Sequence, residues 1–211
     1  MSEMDQDVDI IFYHNPRSRA RIVHWMLEEA EATYRIAPID FEKGEHKTPE
    51  FLAINPMGKL PTIVHGEVVV TEGAAICAYL ADAYPENELC PCDGDPARGA
   101  YYRWLFFGAG CVEPAFIDVL QKRPAAPSSA LGYGSLDDVL NALRGALKAS
   151  PYLTGESFSA ADVYVGSQLE WGAMVGVPGI KGDPVFDPYI ARITARPAYK
   201  RAAEQDGLTP P

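Results

Sequence analysis

The sequence predicts an α+β chain of two domains: a mixed sheet flanked by helices, then an all-helical half. Three observations predict it. Up to residue 84 the pattern runs strand, helix, strand, short helix, strand, strand, helix, an order that sets helices on the faces of a mixed sheet. Residues 85–96 (P-E-N-E-L-C-P-C-D-G-D-P) have the proline, glycine and acid content of a domain boundary. Beyond them strand signals fade and apolar residues recur at helical spacing. The expected division is a domain over 1–84, a linker over 85–96 and an all-helical domain over 97–211.

Each element has its own signal. Residues 1–8 read as a loose tail. The apolar run Asp9 to Tyr13 reads as a buried strand, broken by His14-Asn15-Pro16. From Ser18 the period turns helical, with Ile22, Met26 and Ala30 in one stripe and Glu28, Glu29 and Glu31 toward water. Tyr34 to Ile39 is a second strand. Thr48 to Ile54 is a short helix, Thr48 its N-cap and Pro49 in its first turn. Asn55-Pro56 ends it. Thr62-Ile63-Val64 and Val68-Val69-Val70 flank His65-Gly66-Glu67, a hairpin signal. Glu72 to Tyr84 is helical. In the second half, helices are expected over Ala97 to about Lys122, Ser135 to Ala149, from Ser159, and from about Asp187 to Gln205 with a break at Pro197. Ser159 and Asp162 form a capping box, an element of folding. Arg123 to Tyr133 is a loop.

Composition narrows the function classes. Hydrophobic residues are 47% and charged residues 22% of 211, ordinary for a globular protein. No apolar run approaches the roughly 20 residues of a membrane span. The acidic, polar N-terminus is unlike a secretory signal, so a cytoplasmic protein without a membrane partner is expected. A net charge of −11 argues against nucleic acid, whose phosphates need a basic footprint. The cysteines are Cys77, Cys90, Cys92 and Cys111, with no C-x-x-C pair. Cys90-Pro-Cys92 fits a disulfide badly, and no histidine cluster follows it, so no metal is expected.

The stretch from Gly44 to Pro61, G-E-H-K-T-P-E-F-L-A-I-N-P-M-G-K-L-P, carries three possible anion contacts, His46, Lys47 and Lys59. Taken alone it is a basic loop, a short helix and a proline-led strand. The whole stretch resembles the glutathione-binding segment of the cytosolic glutathione transferases, especially the plant-type and theta-type serine classes. That resemblance implies a thioredoxin-like first domain that binds glutathione, and a helical second domain. It covers residues 9 to about 205, with its specific motifs in the first half.

The resemblance also implies roles. Ser18, at the start of the first helix, would donate to the sulfur of glutathione, where free helix amides favour an anion; its plain alternative is a helix cap. Tyr13, at the end of the first strand, is the rival thiol activator, with Arg17 as the helper cation in that alignment. His46, Lys47 and Lys59 would take the glycyl carboxylate, or else form a solvated basic loop. Leu60, before a cis Pro61, would pair its backbone with the cysteinyl part like an added strand. Glu72 would hold the γ-glutamyl ammonium. Gly73 departs from the family's serine and lacks its hydroxyl. Tyr101, Trp104, Phe107, Cys111 and Trp171 are candidates for an electrophile pocket, although core packing suits most of them.

The implied activity is conjugation of reduced glutathione, as co-substrate, to an apolar electrophile, in a homodimer resembling bacterial relatives of the serine classes. Two alternatives stand beside it. One is a non-catalytic binding or scaffold protein on the same fold. The other is a glutathione-dependent peroxidase, dehalogenase or isomerase.

Overall fold

The computed structural model describes residues 9–124 and 126–208. The tail expected over 1–8 lies outside the described residues. The chain divides into two compact units, one running through Asn87 and including the residues from Pro197, the other Glu88–Arg196.

The first unit is built on a four-stranded sheet: β1 (Ile10–His14), β2 (Tyr34–Pro38), β3 (Thr62–His65) and β4 (Val68–Thr71). Their order is β2-β1-β3-β4. β1 runs parallel to β2 and antiparallel to β3, which pairs antiparallel with β4. Gly66, at φ 58°, turns the hairpin in a left-handed conformation that glycine takes without strain. Strand alternation splits β1 between two faces. Phe12 meets His24 of α1 (Ala20–Glu29) at 5.8 Å between ring centroids. Tyr13 meets Phe51 of α2 (Pro49–Ile54) edge-on at 5.4 Å on the other face. The Thr48 hydroxyl accepts from the Phe51 amide at 3.4 Å, the N-cap read from the sequence. α3 spans Gly73–Ala83.

One boundary departs from expectation. α9 (Pro197–Gln205), assigned by sequence to the helical domain, belongs to the first unit. The reason lies in α1, where Ile22, Val23, Trp25, Met26 and Leu27 are all buried, more than one sheet face can cover. α3 and α9 cover the remainder. Trp25 meets Tyr199 edge-on at 5.1 Å, and Arg201 Nε donates to Glu28 Oε2 at 2.6 Å. Glu28 and Glu29 therefore do not face water as expected. Glu29 is buried and accepts from Trp25 Nε1 at 2.8 Å; Glu31 is exposed.

The second unit holds five helices among the described residues: α4 (Ala97–Phe107), α5 (Glu113–Leu120), α6 (Leu136–Ala149), α7 (Ala160–Val175) and α8 (Phe186–Thr194). The single helix expected to about Lys122 is two, joined through a π-helical turn at Gly108–Val112. A side chain at Gly108 would sit 2.8 Å from the Tyr164 ring, so glycine there admits α7 to close packing. No helix among the described residues is long and apolar enough to cross a membrane.

Candidate active site

The sheet register gathers the candidate residues of the first unit. His14 pairs with Pro38, Tyr13 with Thr62, and Thr62 with Thr71. The segments leaving β1, β2 and β4 and the segment entering β3 therefore meet at one end of the sheet. These are the Asn15–Arg19 turn, the loop with His46 and Lys47, Glu72-Gly73, and Lys59-Leu60-Pro61. Residues separated by more than fifty positions become neighbours through pairing alone.

Asn15 fixes the first of these segments. Its Nδ2 donates to the Ile39 carbonyl at 2.8 Å, and its Oδ1 accepts from the Arg17 amide at 2.9 Å. The Ser18 hydroxyl donates to the Asn15 carbonyl at 2.7 Å and accepts from the Ala20 amide at 3.1 Å. Ser18 thus sits half-buried at the first turn of α1, with a hydroxyl proton that can be redirected by rotation about Cβ–Oγ. Arg17 is solvated and lies 3.6 Å from Glu42, an exposed pair of small energetic consequence. Tyr13 packs against Phe51, as described above.

Asn55 fixes the segment entering β3. This buried side chain donates to the Lys59 carbonyl at 2.9 Å and to Thr62 Oγ1 at 3.0 Å, and accepts from the Met57 amide at 3.0 Å. Lys47 Nζ donates to the Met57 carbonyl at 2.9 Å. Gly58, at φ 59°, lies against the His46 carbonyl, where a Cβ would come within 2.5 Å of the oxygen. The Leu60-Pro61 bond is cis. Lys59 is exposed, and His46 presents a buried Nδ1 without a hydrogen-bond partner among the described residues. Glu72 is exposed at φ 69° and ψ 119°, a conformation rare outside glycine, and Gly73 opens α3.

Residues 8–82 match the family described as Glutathione S-transferase, N-terminal domain. A probable glutathione S-transferase of Oryza sativa subsp. japonica is 32% identical over 190 residues, covering 84% of this chain and 87% of the rice protein. The chain belongs to the glutathione S-transferase family. Two solved structures resemble this transferase throughout. A glutathione transferase from Methylococcus capsulatus str. Bath has a TM-score of 0.78 at 28% identity, covering 95% of this chain and 100% of its own. A sphingomonad glutathione S-transferase complexed with glutathione has a TM-score of 0.76 at 29% identity, covering 94% and 100%.

In the second unit of this transferase, Tyr101 and Trp104 are buried in the core. Phe107, Cys111 and Trp171 keep partial exposure. A cavity of about 490 Å³ opens in the same unit between the end of α5 and residues 126–136, lined by Ala115, Val119, Leu131 and Tyr133 among others. None of the five sequence candidates lines it. Burial pushes the Cys77 and Cys111 thiols up, so neither is an activated nucleophile.

Sequence reasoning missed the two asparagines that hold the site's loops. Asn15 and Asn55 each stand before a proline, and that turn signal was visible. Their side-chain bonds to Ile39, Lys59 and Thr62 depend on the folded sheet end and have no sequence signature.

Proposed function

We propose that this transferase binds reduced glutathione at the C-terminal end of β1 and conjugates its sulfur to an apolar electrophile. The observation that carries the reading is the convergence of a cationic segment, the Leu60–Pro61 segment entering β3 and an acidic helix start at one sheet end. The tripeptide is a zwitterion with matching parts. His46, Lys47 and Lys59 take the glycyl carboxylate, the Leu60 backbone pairs with the cysteinyl unit, and Glu72 takes the γ-glutamyl ammonium. The buried His46 Nδ1 without a partner among the described residues supports a ligand contact there. The glutathione bound in the sphingomonad relative supports the choice of tripeptide.

Ser18 rather than Tyr13 is the thiol activator in this reading. A serine hydroxyl at the first turn of α1 has helix amides beside it, whereas Tyr13 packs on the α2 face of the sheet. A free thiol has a pKa of about 8.5, and lowering it by about two units takes about 2.7 kcal/mol. One charge-assisted hydrogen bond and a helix N-terminus supply that order of stabilisation. The thiolate then attacks the electrophile, either displacing from it a leaving group that departs with the bonding pair or adding across a polarised double bond whose resulting anion takes a proton from water. Partly exposed Phe107, Cys111 and Trp171 of the second unit are proposed to recognise the apolar co-substrate. A cytoplasmic homodimer is part of the same proposal.

The test follows the ultraviolet absorbance of the bound glutathione thiolate across pH. Wild type is expected to show a thiol pKa well below the free value. Ser18→Ala is expected to return it toward that value while still binding glutathione, and Tyr13→Phe to leave it low. An unchanged pKa and turnover in Ser18→Ala would remove Ser18 from the mechanism.

A further inference from the structure

His14, His24 and Asp206 converge in the first unit from three elements: the end of β1, the middle of α1 and the residue after α9. Asp206 Oδ1 lies 2.7 Å from His14 Nε2 and 2.7 Å from His24 Nδ1. The three donor atoms lie within 4.8 Å of one another. The side chains are 5%, 0% and 3% exposed. The backbone around Asp206 is fixed, its amide bonded to the Ala202 carbonyl and the following Gly207 and Leu208 amides to Glu204 and Ala203.

The opposite edge of the His24 ring decides what this cluster can hold. Nε2 faces Gln205 Oε1 at 2.8 Å and Tyr34 Oη at 2.9 Å. Tyr34 gives its own hydrogen to Glu28 Oε1 at 2.6 Å, so its oxygen meets the ring as an acceptor. Gln205 Nε2 points to Glu28 Oε1 at 3.5 Å, which turns its oxygen toward the ring. Nε2 therefore carries the ring hydrogen. In the neutral ring, Nδ1 then presents a lone pair to a carboxylate oxygen 2.7 Å away. Two electron-rich atoms at that distance need a positive species between them, either a further proton or a metal ion. The Glu28–Tyr34–His24 chain has the form of the outer shell that orients a metal-bound imidazole. His14 Nδ1 has no partner among the described residues, so nothing there prevents His14 Nε2 from presenting a lone pair as well.

We propose that His14, His24 and Asp206 bind one divalent transition cation of the zinc type. Two imidazoles and a carboxylate form a borderline donor set suited to Zn²⁺, with water as the fourth ligand. Tetrahedral Zn²⁺ with bonds of about 2.0–2.2 Å separates its ligand atoms by about 3.4 Å. The Asp206 oxygen, 2.7 Å from each nitrogen, moves back by under about 1 Å, and the two imidazoles of a donor set spread over as much as 4.8 Å draw together by about 1.4 Å to admit it. The ion ties α9 to β1 and α1. Its role is to hold the first unit together, and the thiol chemistry does not involve it.

The full-length protein, stripped with chelator and exchanged into neutral buffer, is titrated with Zn²⁺ by calorimetry and with Co²⁺ by visible absorption. The expected result is one ion per chain, a tetrahedral Co²⁺ spectrum and a higher thermal midpoint with Zn²⁺. His24→Gln and Asp206→Asn are expected to lose the ion, and Tyr34→Phe, which keeps all three ligands, to bind about tenfold more weakly. His14→Gln serves if either of the first two does not fold. The double variant Cys90→Ser/Cys92→Ser is expected to bind as wild type does. No stoichiometric binding, binding that survives in the histidine and Asp206 variants, or loss of binding in the cysteine variant would each overturn the proposal. The first outcome would leave a proton between His24 and Asp206.

Discussion

Glu72 carries the clearest signature of a site at the scale of one residue. Its backbone sits at φ 69° and ψ 119°, which costs a non-glycine residue on the order of 1–3 kcal/mol. Its side chain is exposed and makes no hydrogen bond to cap α3, so the side chain itself does not offset that cost. Strain kept at an exposed acid fits the proposed ammonium contact. Glu72→Gly is expected to hold or raise unfolding stability in denaturant titrations. It is also expected to weaken glutathione binding by about tenfold or more, the effect of a lost charged hydrogen bond of about 1.5–3 kcal/mol. Equal glutathione affinity in calorimetry would remove the ammonium contact. The neighbouring Gly73 is the converse case. It begins α3, where serine fits the backbone, and Gly73→Ser restores a hydroxyl the sequence lacks. Binding about fivefold tighter is expected from one added hydrogen bond of about 1 kcal/mol. Weaker binding would mean that the ligand approaches Gly73 too closely for a side chain.

At the scale of an element, the start of α7 shows what a local motif reveals and what it hides. The pair Ser159 and Asp162 is legible as a capping box, and Asp162 does reach back to the Ser159 amide at 3.0 Å and its hydroxyl at 3.1 Å. The same carboxylate also accepts from the Leu153 amide at 2.9 Å and from Tyr189 Oη at 2.9 Å. It is thus the buried hub of three segments, and those partners lie too far along the chain for a local pattern to show. Burial pushes Asp162 up to about 6, against the pull of its four donors. Its folded value exceeds the unfolded value of about 3.9, so the folded state holds the proton more firmly between about pH 4 and 6. Stability from this group is therefore full below about pH 4 and lost as pH rises through about 6. Asp162→Asn has no such proton. The unfolding free energy of wild type relative to the variant is expected to fall by on the order of 2–3 kcal/mol from pH 4 to pH 7. A difference that grows with pH would mean that the four donors outweigh burial.

At the scale of the whole molecule, legibility follows sequence separation. Signals read within a few residues, such as the Thr48-Pro49 helix start and the hairpin at Gly66, appear where expected because short-range sterics decide them. The assembly of the proposed site from Ser18, His46, Leu60 and Glu72 was legible only through a family resemblance. The pairing that unites them is a property of the sheet. α9 was misassigned because it follows the five helices α4 to α8 in sequence, whereas its packing face is set by α1, more than 160 residues earlier. The exposure expected for Glu28 and Glu29 was the same error seen from the other side: Arg201, the partner of Glu28, lies in α9, and Trp25, the partner of Glu29, packs on Tyr199 of α9. A chain ending at Arg196 removes α9 and uncovers Trp25, Glu29 and the His24 ring, while α6 and α7 keep every contact within their own unit. Losing the cover of one large side chain alone costs about 2–3 kcal/mol. Native-state hydrogen exchange is expected to show protection falling in α1 and β1 and unchanged in α6 and α7. An equal loss in both units would mean that α9 supports the molecule globally. Unchanged protection in α1 would mean that its apolar surface finds another cover, and that α9 is dispensable to the unit it packs against.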